Sequence, residues 1–166
     1  MGLVTSCLKT PLPAVPSVDV SKMMGVWYVV AVLPTPPEKG GFNPTENYSW
    51  NATKKAIDVD FTLNKKSLDG PIKSIPQTIY TSGYPTSTGK WLASPFWPLK
   101  LDYTIMDLGP EYDYIVVGHQ SRSWFWVMSR KTTLDKDILD SCLALGKENG
   151  FNVSKIEYPE HKPMPK

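Results

Sequence analysis

The chain has 166 residues, 41% hydrophobic and 20% charged, with a formal net charge of +2; that is the size of one domain and excludes a disordered chain or a transmembrane bundle. No basic run is longer than two residues, as at Lys54-Lys55 and Lys65-Lys66, which speaks against a nucleic-acid partner, and no apolar run reaches the roughly 18 residues of a spanning helix. Two cysteines, Cys7 and Cys142, permit at most one disulfide, while 16 prolines and 19 aromatics, six of them Trp, are the unusual features.

Residues 1–18 carry three prolines and no sustained periodicity, and read as an extended N-terminal arm. From Gly25, the β-branched and aromatic run to Leu33 reads as a strand that Pro34 stops. Pro34–Gly41 is a loop by its Pro and Gly content. Residues 47–51 and 57–61 alternate apolar and polar around a hairpin, with Tyr48 and Trp50 on one face. Further short runs at 72–81, 90–93, 101–107, 112–118 and 123–129 bring the count to about eight strands at roughly 8–12-residue spacing, the pattern of a sandwich or barrel. From Thr133, Leu134, Ile138, Cys142 and Leu145 recur at helical spacing, with Thr133 as the capping residue and Gly150 at the C-terminal cap. A short apolar run, 151–156, and a polar, Pro-rich tail, 159–166, read as flexible, follow. The expected fold is all-β: an eight-stranded antiparallel up-and-down β-barrel over 19–158, one C-terminal α-helix packed outside it, and a short ninth strand.

Three motifs in this order sharpen the reading. Gly25-Val-Trp27-Tyr opens the first long strand, Tyr103–Asp107 is followed by Glu111-Tyr112-Asp-Tyr114, and Trp124–Arg130 ends the last one. Together they resemble the lipocalins, in particular the subgroup of bacterial outer-membrane lipocalins, plant temperature-induced lipocalins and apolipoprotein D. The resemblance implies that Gly25, Trp27, Tyr112 and Arg130 are structural, with Trp27 closing the barrel floor and Arg130 packed across it, a cation–π contact. It also implies a carrier of one small hydrophobic or amphiphilic ligand, a fatty acid, lysophospholipid or similar lipid, in membrane maintenance or stress response.

If Trp27 points inward, strand alternation places Val29, Ala31 and Leu33 in the cavity, with Tyr48, Trp50, Tyr103, Ile105, Tyr114, Val116, Trp124 and Trp126. That pocket is aromatic and largely uncharged. A single bulge would flip the parity of the rest of a strand. Catalytic sets are poorly supplied. His119 and His161 are the only histidines, no metal cluster or cofactor is indicated, and neither Cys7 nor Cys142 falls on an inward strand position. A carrier, working as monomer or homodimer, is therefore preferred to an enzyme acting on a bound lipid or pigment, and to a filled-core interaction module in which Phe96 and Trp97 contact a partner.

The N-terminus bears on localisation. Gly2 fits a myristoylation pattern and Cys7 could take a second lipid, attaching the protein to a membrane surface. Asn47, Asn51 and Asn152 head glycosylation triplets that count only if the chain is secreted.

Overall fold

A computed structural model describes residues 9–166. Gly2 and Cys7, the lipidation candidates, lie outside the described residues. The strands are β1 (Val18–Asp19), β2 (Gly25–Leu33), β3 (Phe42–Asn51), β4 (Ala56–Asn64), β5 (Ile72–Tyr80), β6 (Thr86–Ser87), β7 (Lys90–Ser94), β8 (Leu101–Leu108), β9 (Tyr114–Gly118) and β10 (Phe125–Ser129). Eight of them close into an antiparallel barrel in the order β10-β2-β3-β4-β5-β7-β8-β9, because each hairpin connection is too short for anything but antiparallel neighbours. The two-residue β1 and β6 pair separately, next to a 3₁₀ turn at Val20–Met23.

Two apolar clusters divide the molecule. The barrel interior holds Trp27, Val29, Val32, Tyr48, Phe61, Trp91, Tyr103, Ile105, Trp124 and Trp126 among others. The second cluster lies on the outside of the same wall, where Val30, Ala31, Val116, Phe125 and Val127 meet Cys142, Phe151 and the apolar face of α1 (Lys136–Glu148). Strands in that wall are buried on both faces, which is why β2 and β10 read as unbroken apolar runs instead of alternating ones.

Helix α1 starts two residues later than the spacing indicated. Its N-cap is Asp135, whose side chain accepts a hydrogen bond from the Asp137 amide at 2.9 Å, and not Thr133. Leu134 and Leu139, just before and just inside the first turn, pack in the same outer cluster, a hydrophobic staple. At the other end Gly150 takes φ +88°. Its amide donates to Lys147 O, and the Phe151 amide donates to Gly146 O, at 3.1 Å each, a Schellman cap. Beyond it stands a 3₁₀ turn, Val153–Lys155, and the ninth strand reduces to a single bridge between Val32 and Glu157.

The chain ends dress the barrel. Residues 9–17 run along the outside, with Lys9 Nζ donating to Ser121 O, Leu12 buried and the Val15 amide donating to Ile105 O. Residues 157–162 lie along the upper halves of β2 and β3, where those two strands no longer pair.

Candidate functional site

One end of the barrel is sealed. Arg130, immediately after β10, stacks its guanidinium on the Trp27 ring at 3.7 Å from the centroid. Its two terminal nitrogens donate to the carbonyls of Val26 (2.9 Å) and Lys22 (2.8 Å), fixing the 3₁₀ turn across the floor. Trp27 Nε1 donates to Met23 O at 2.9 Å, and the Tyr112 hydroxyl accepts from the Asp19 amide at 2.9 Å. Gly25 sits at φ +95°, and a Cβ there would lie 3.4 Å from Arg130 Nη1, so glycine suits both the backbone and the arginine.

The other end holds a cavity of about 220 Å³. Phe61, Ile75, Leu101, Tyr103, Trp124 and Trp126 supply its apolar wall, and Thr35, Pro37 and Glu38 of the β2–β3 loop lean over it as a lid. The rings form a box: Trp124 and Trp126 are 4.8 Å apart between centroids, Tyr103 lies 6.0 and 6.1 Å from them, and Phe61 6.4 Å from Trp126. On the outside rim Phe96 and Trp97 are 66% and 76% exposed, Trp97 beneath the Lys100 ammonium.

Behind Tyr103 lies a polar chain inside an otherwise apolar barrel. The Tyr103 hydroxyl meets the Tyr48 hydroxyl, which donates to Glu46 Oε2 at 2.6 Å. Burial pushes the Glu46 carboxyl up to about 8, so at neutral pH it is held mostly as the uncharged acid. Both tyrosines are pushed further above their ordinary value by the same desolvation. Glu38 in the lid is also buried and also raised, although the amide and hydroxyl of Thr35 donate to its Oε2 at 2.8 and 2.5 Å. Trp126 Nε1 is buried with no hydrogen-bond partner among the described residues, yet stands close enough to Glu38 to favour its ionised form.

Of the residues the sequence assigned to the cavity, Tyr103, Trp124 and Trp126 line it. Val29, Tyr48 and Ile105 face the interior below it, in the filled core. Trp50 sits near the sealed end, stacked on Tyr84 at 4.1 Å. Four inward orientations are corrected. Ala31 and Leu33 face the helix, because β2 bulges at Val30: its partner β10 steps from Val127↔Ala31 to Met128↔Val29, which turns Val32 inward in their place. Tyr114 and Val116 belong to the outer cluster as well. On β9 the inward residues are Ile115 and Val117, set by pairing of Val117 with Ile105 and Trp126.

Glu38 and Glu46 were missed, although Glu46 carries a signal. It lies two and four residues before Tyr48 and Trp50, on the same face, in a strand that begins earlier than the alternation at 47–51 indicated. Of the glycosylation candidates, Asn47 and Asn152 are exposed, while Asn51 is half-buried and donates to Asp58 at 2.8 Å. Cys142 is buried under the barrel wall, its thiol pushed up to about 12 by desolvation, and faces α1's partner cluster, not the cavity. Among the described residues no cluster of three His, Cys, Asp or Glu forms a metal site.

Known proteins share this architecture. Residues 18–161 match the family model described as a lipocalin-like domain. Temperature-induced lipocalin-1 of Arabidopsis thaliana is 25% identical over 158 residues, spanning 89% of this chain and 82% of that protein. The outer membrane lipoprotein Blc of Escherichia coli strain K12 is 27% identical over 165 residues, spanning 93% and 88%. Among solved structures, insecticyanin from the tobacco hornworm Manduca sexta superposes with a TM-score of 0.67 at 16% identity, over 92% of this chain and 86% of that one. Lobster apocrustacyanin A1 gives 0.65 at 15% identity, over 93% and 94%.

Proposed function

The chain belongs to the lipocalin family, and from that membership we propose that its barrel carries one small hydrophobic or amphiphilic molecule, of the fatty-acid or lysophospholipid kind. The observation that carries this reading is the aromatic cavity at the open end of a barrel whose other end is sealed. Its volume, about 220 Å³, falls below the roughly 300–1,000 Å³ of sites that enclose most of a drug-sized ligand. The cavity thus takes one end of an amphiphile, and the remainder leaves through the mouth past the lid. At ~0.8 kcal/mol for each apolar carbon buried, the enclosed end supplies several kcal/mol before ordering costs, enough for weak but saturable binding.

A carrier accounts for these residues better than an enzyme. Cys142 lies outside the barrel, and the carboxyl inside it is engaged by tyrosines. Membrane maintenance and stress response are the roles we assign, in keeping with relatives named as an outer membrane lipoprotein and a temperature-induced lipocalin. The exposed Phe96 and Trp97 beside the cavity supply a rim that a lipid surface would accept. Titration of the full chain with a lysophospholipid, a fatty acid and a retinoid, read by Trp fluorescence and native mass spectrometry, tests the proposal. One-to-one saturable binding by any of them supports it, and a folded, monodisperse protein that binds none sinks it.

A further inference from the structure

The cavity has a chemical bias that a generic lipid pocket would not have. Among the described residues, twelve line it, none of them Lys, Arg or His, and Glu38 is the one that carries charge when ionised. Thr35 holds Oε2 of that carboxylate from both its amide and its hydroxyl, leaving Oε1 with no hydrogen bond among the described residues. Facing the same space is the buried N–H of Trp126, which has no hydrogen-bond partner among the described residues. Beside them Tyr103, Trp124 and Trp126 pack on one another at 4.8–6.1 Å between ring centroids and at mixed angles, a continuous aromatic wall of the cavity.

We propose that this box selects an organic cation: the quaternary ammonium end of an amphiphile sits against the rings of Tyr103, Trp124 and Trp126, with the Glu38 carboxylate as its counter-ion. The inference rests on the carrier reading and narrows its ligand class. An aromatic face attracts a desolvated cation through its quadrupole, and a carboxylate in a low-dielectric wall adds to that attraction. An anionic head would meet Glu38 with no basic side chain to offset the repulsion. A primary amine fits less well, because each of its three N–H donors would need an acceptor in a wall that is mostly apolar. A quaternary nitrogen has no donors to satisfy.

The test uses the full chain and three ligands with one tail length, decyltrimethylammonium, decanol and decanoate, each below its micelle concentration, by calorimetry and Trp fluorescence. Decyltrimethylammonium is expected to bind at least tenfold more tightly than decanol, and decanoate more weakly than either. Glu38→Gln should cut the ammonium-over-decanol ratio to threefold or less, and Trp124→Leu, which removes a ring without touching the lid, should cut it independently. Equal binding of the three ligands, or a preference for decanoate, overturns the cation inference and leaves the carrier reading standing. Failure of all three to bind while a lysophospholipid still binds overturns the cation inference alone, and failure of the lysophospholipid, fatty acid and retinoid as well overturns both.

Discussion

Arg130 works on the barrel floor in two ways, as a cation over Trp27 and as a fork of donors to two backbone carbonyls. A lysine keeps the charge and loses the fork. Arg130→Lys should therefore cost about 2 kcal/mol, the scale of hydrogen bonds to a charged group, read by urea unfolding, with ligand affinity unchanged because the floor is remote from the cavity. Both residues were legible in the sequence, since a glycine–tryptophan strand start and a terminal arginine are motif features. Glu46 was not, because one acidic residue before an alternating run looks like the solvent face until the strand's true start is known. Its burial makes a pH prediction. A carboxyl whose folded pKa is about 8, against 4.5 when exposed, binds its proton more tightly in the folded state. Its stabilisation is complete below about 4.5 and is lost as pH rises through 8. Glu38, also raised by burial, acts in the same direction. His161 acts oppositely: burial lowers its pKa from 6.5, so its contribution grows with pH and is complete just above that value. The decline between pH 6.5 and 8 is thus assigned to Glu46. Thermal unfolding from pH 5 to 8.5 should show it in the natural chain and show it largely flattened in Glu46→Gln. An unchanged slope in the variant would assign it elsewhere.

At the scale of elements, strand number, strand order and the helix follow from patterning, while the facing of individual residues in β2 and β9 does not. Gly25–Leu33 is apolar nearly throughout because the barrel interior lies on one side and α1 on the other. Nothing in Val29-Val30-Ala31-Val32 marks where the bulge falls, and a bulge reverses every later side chain. Where only one face is buried, as in β3 and β4, alternation is clean and parity is readable. The helix offers its own test. Gly146 is buried in α1 where the helix crosses β10, and a Cβ there would lie 2.8 Å from Phe125 Cζ. An alanine in a helix ordinarily gains up to about 1 kcal/mol over glycine. Phe125 is fully buried and has nowhere to retreat, so Gly146→Ala should instead destabilise by about 1–3 kcal/mol, the range for overpacking. Thermal unfolding decides the sign. A rise in Tm would mean the helix can ride outward on the barrel.

For the whole molecule, the two barrel ends differ in how they are closed, and the chain terminus takes part. β2 pairs with β3 only from Gly25 to Tyr28 but with β10 up to Leu33, so its upper half presents an open edge toward β3. Residues 157–162 fill that seam. Glu157 bridges Val32, the Asn43 amide donates to Glu160 O at 2.7 Å, and His161 Nε2 lies 2.7 Å from Val29 O. The seam is continuous with the lid, where the Gly40 amide donates to Glu157 Oε2 at 3.3 Å. A polar, Pro-rich terminus gives no sign of this, because the contacts run mainly through backbone groups that every residue possesses. An unpaired strand edge beside a ligand mouth has two consequences, a looser lid and a surface that invites another strand. A chain ending at Lys155 should therefore stay folded, since both apolar clusters keep nearly all their members, but with a lower Tm. It should also release ligand faster in stopped-flow Trp fluorescence and self-associate with rising concentration in light scattering. His161→Ala, which removes one contact and leaves the strap, should lower stability by about 1 kcal/mol without self-association. If the shortened chain matches the full one in release rate and remains monomeric, the strap closes nothing, and the lid is held by Glu38 and Thr35 alone.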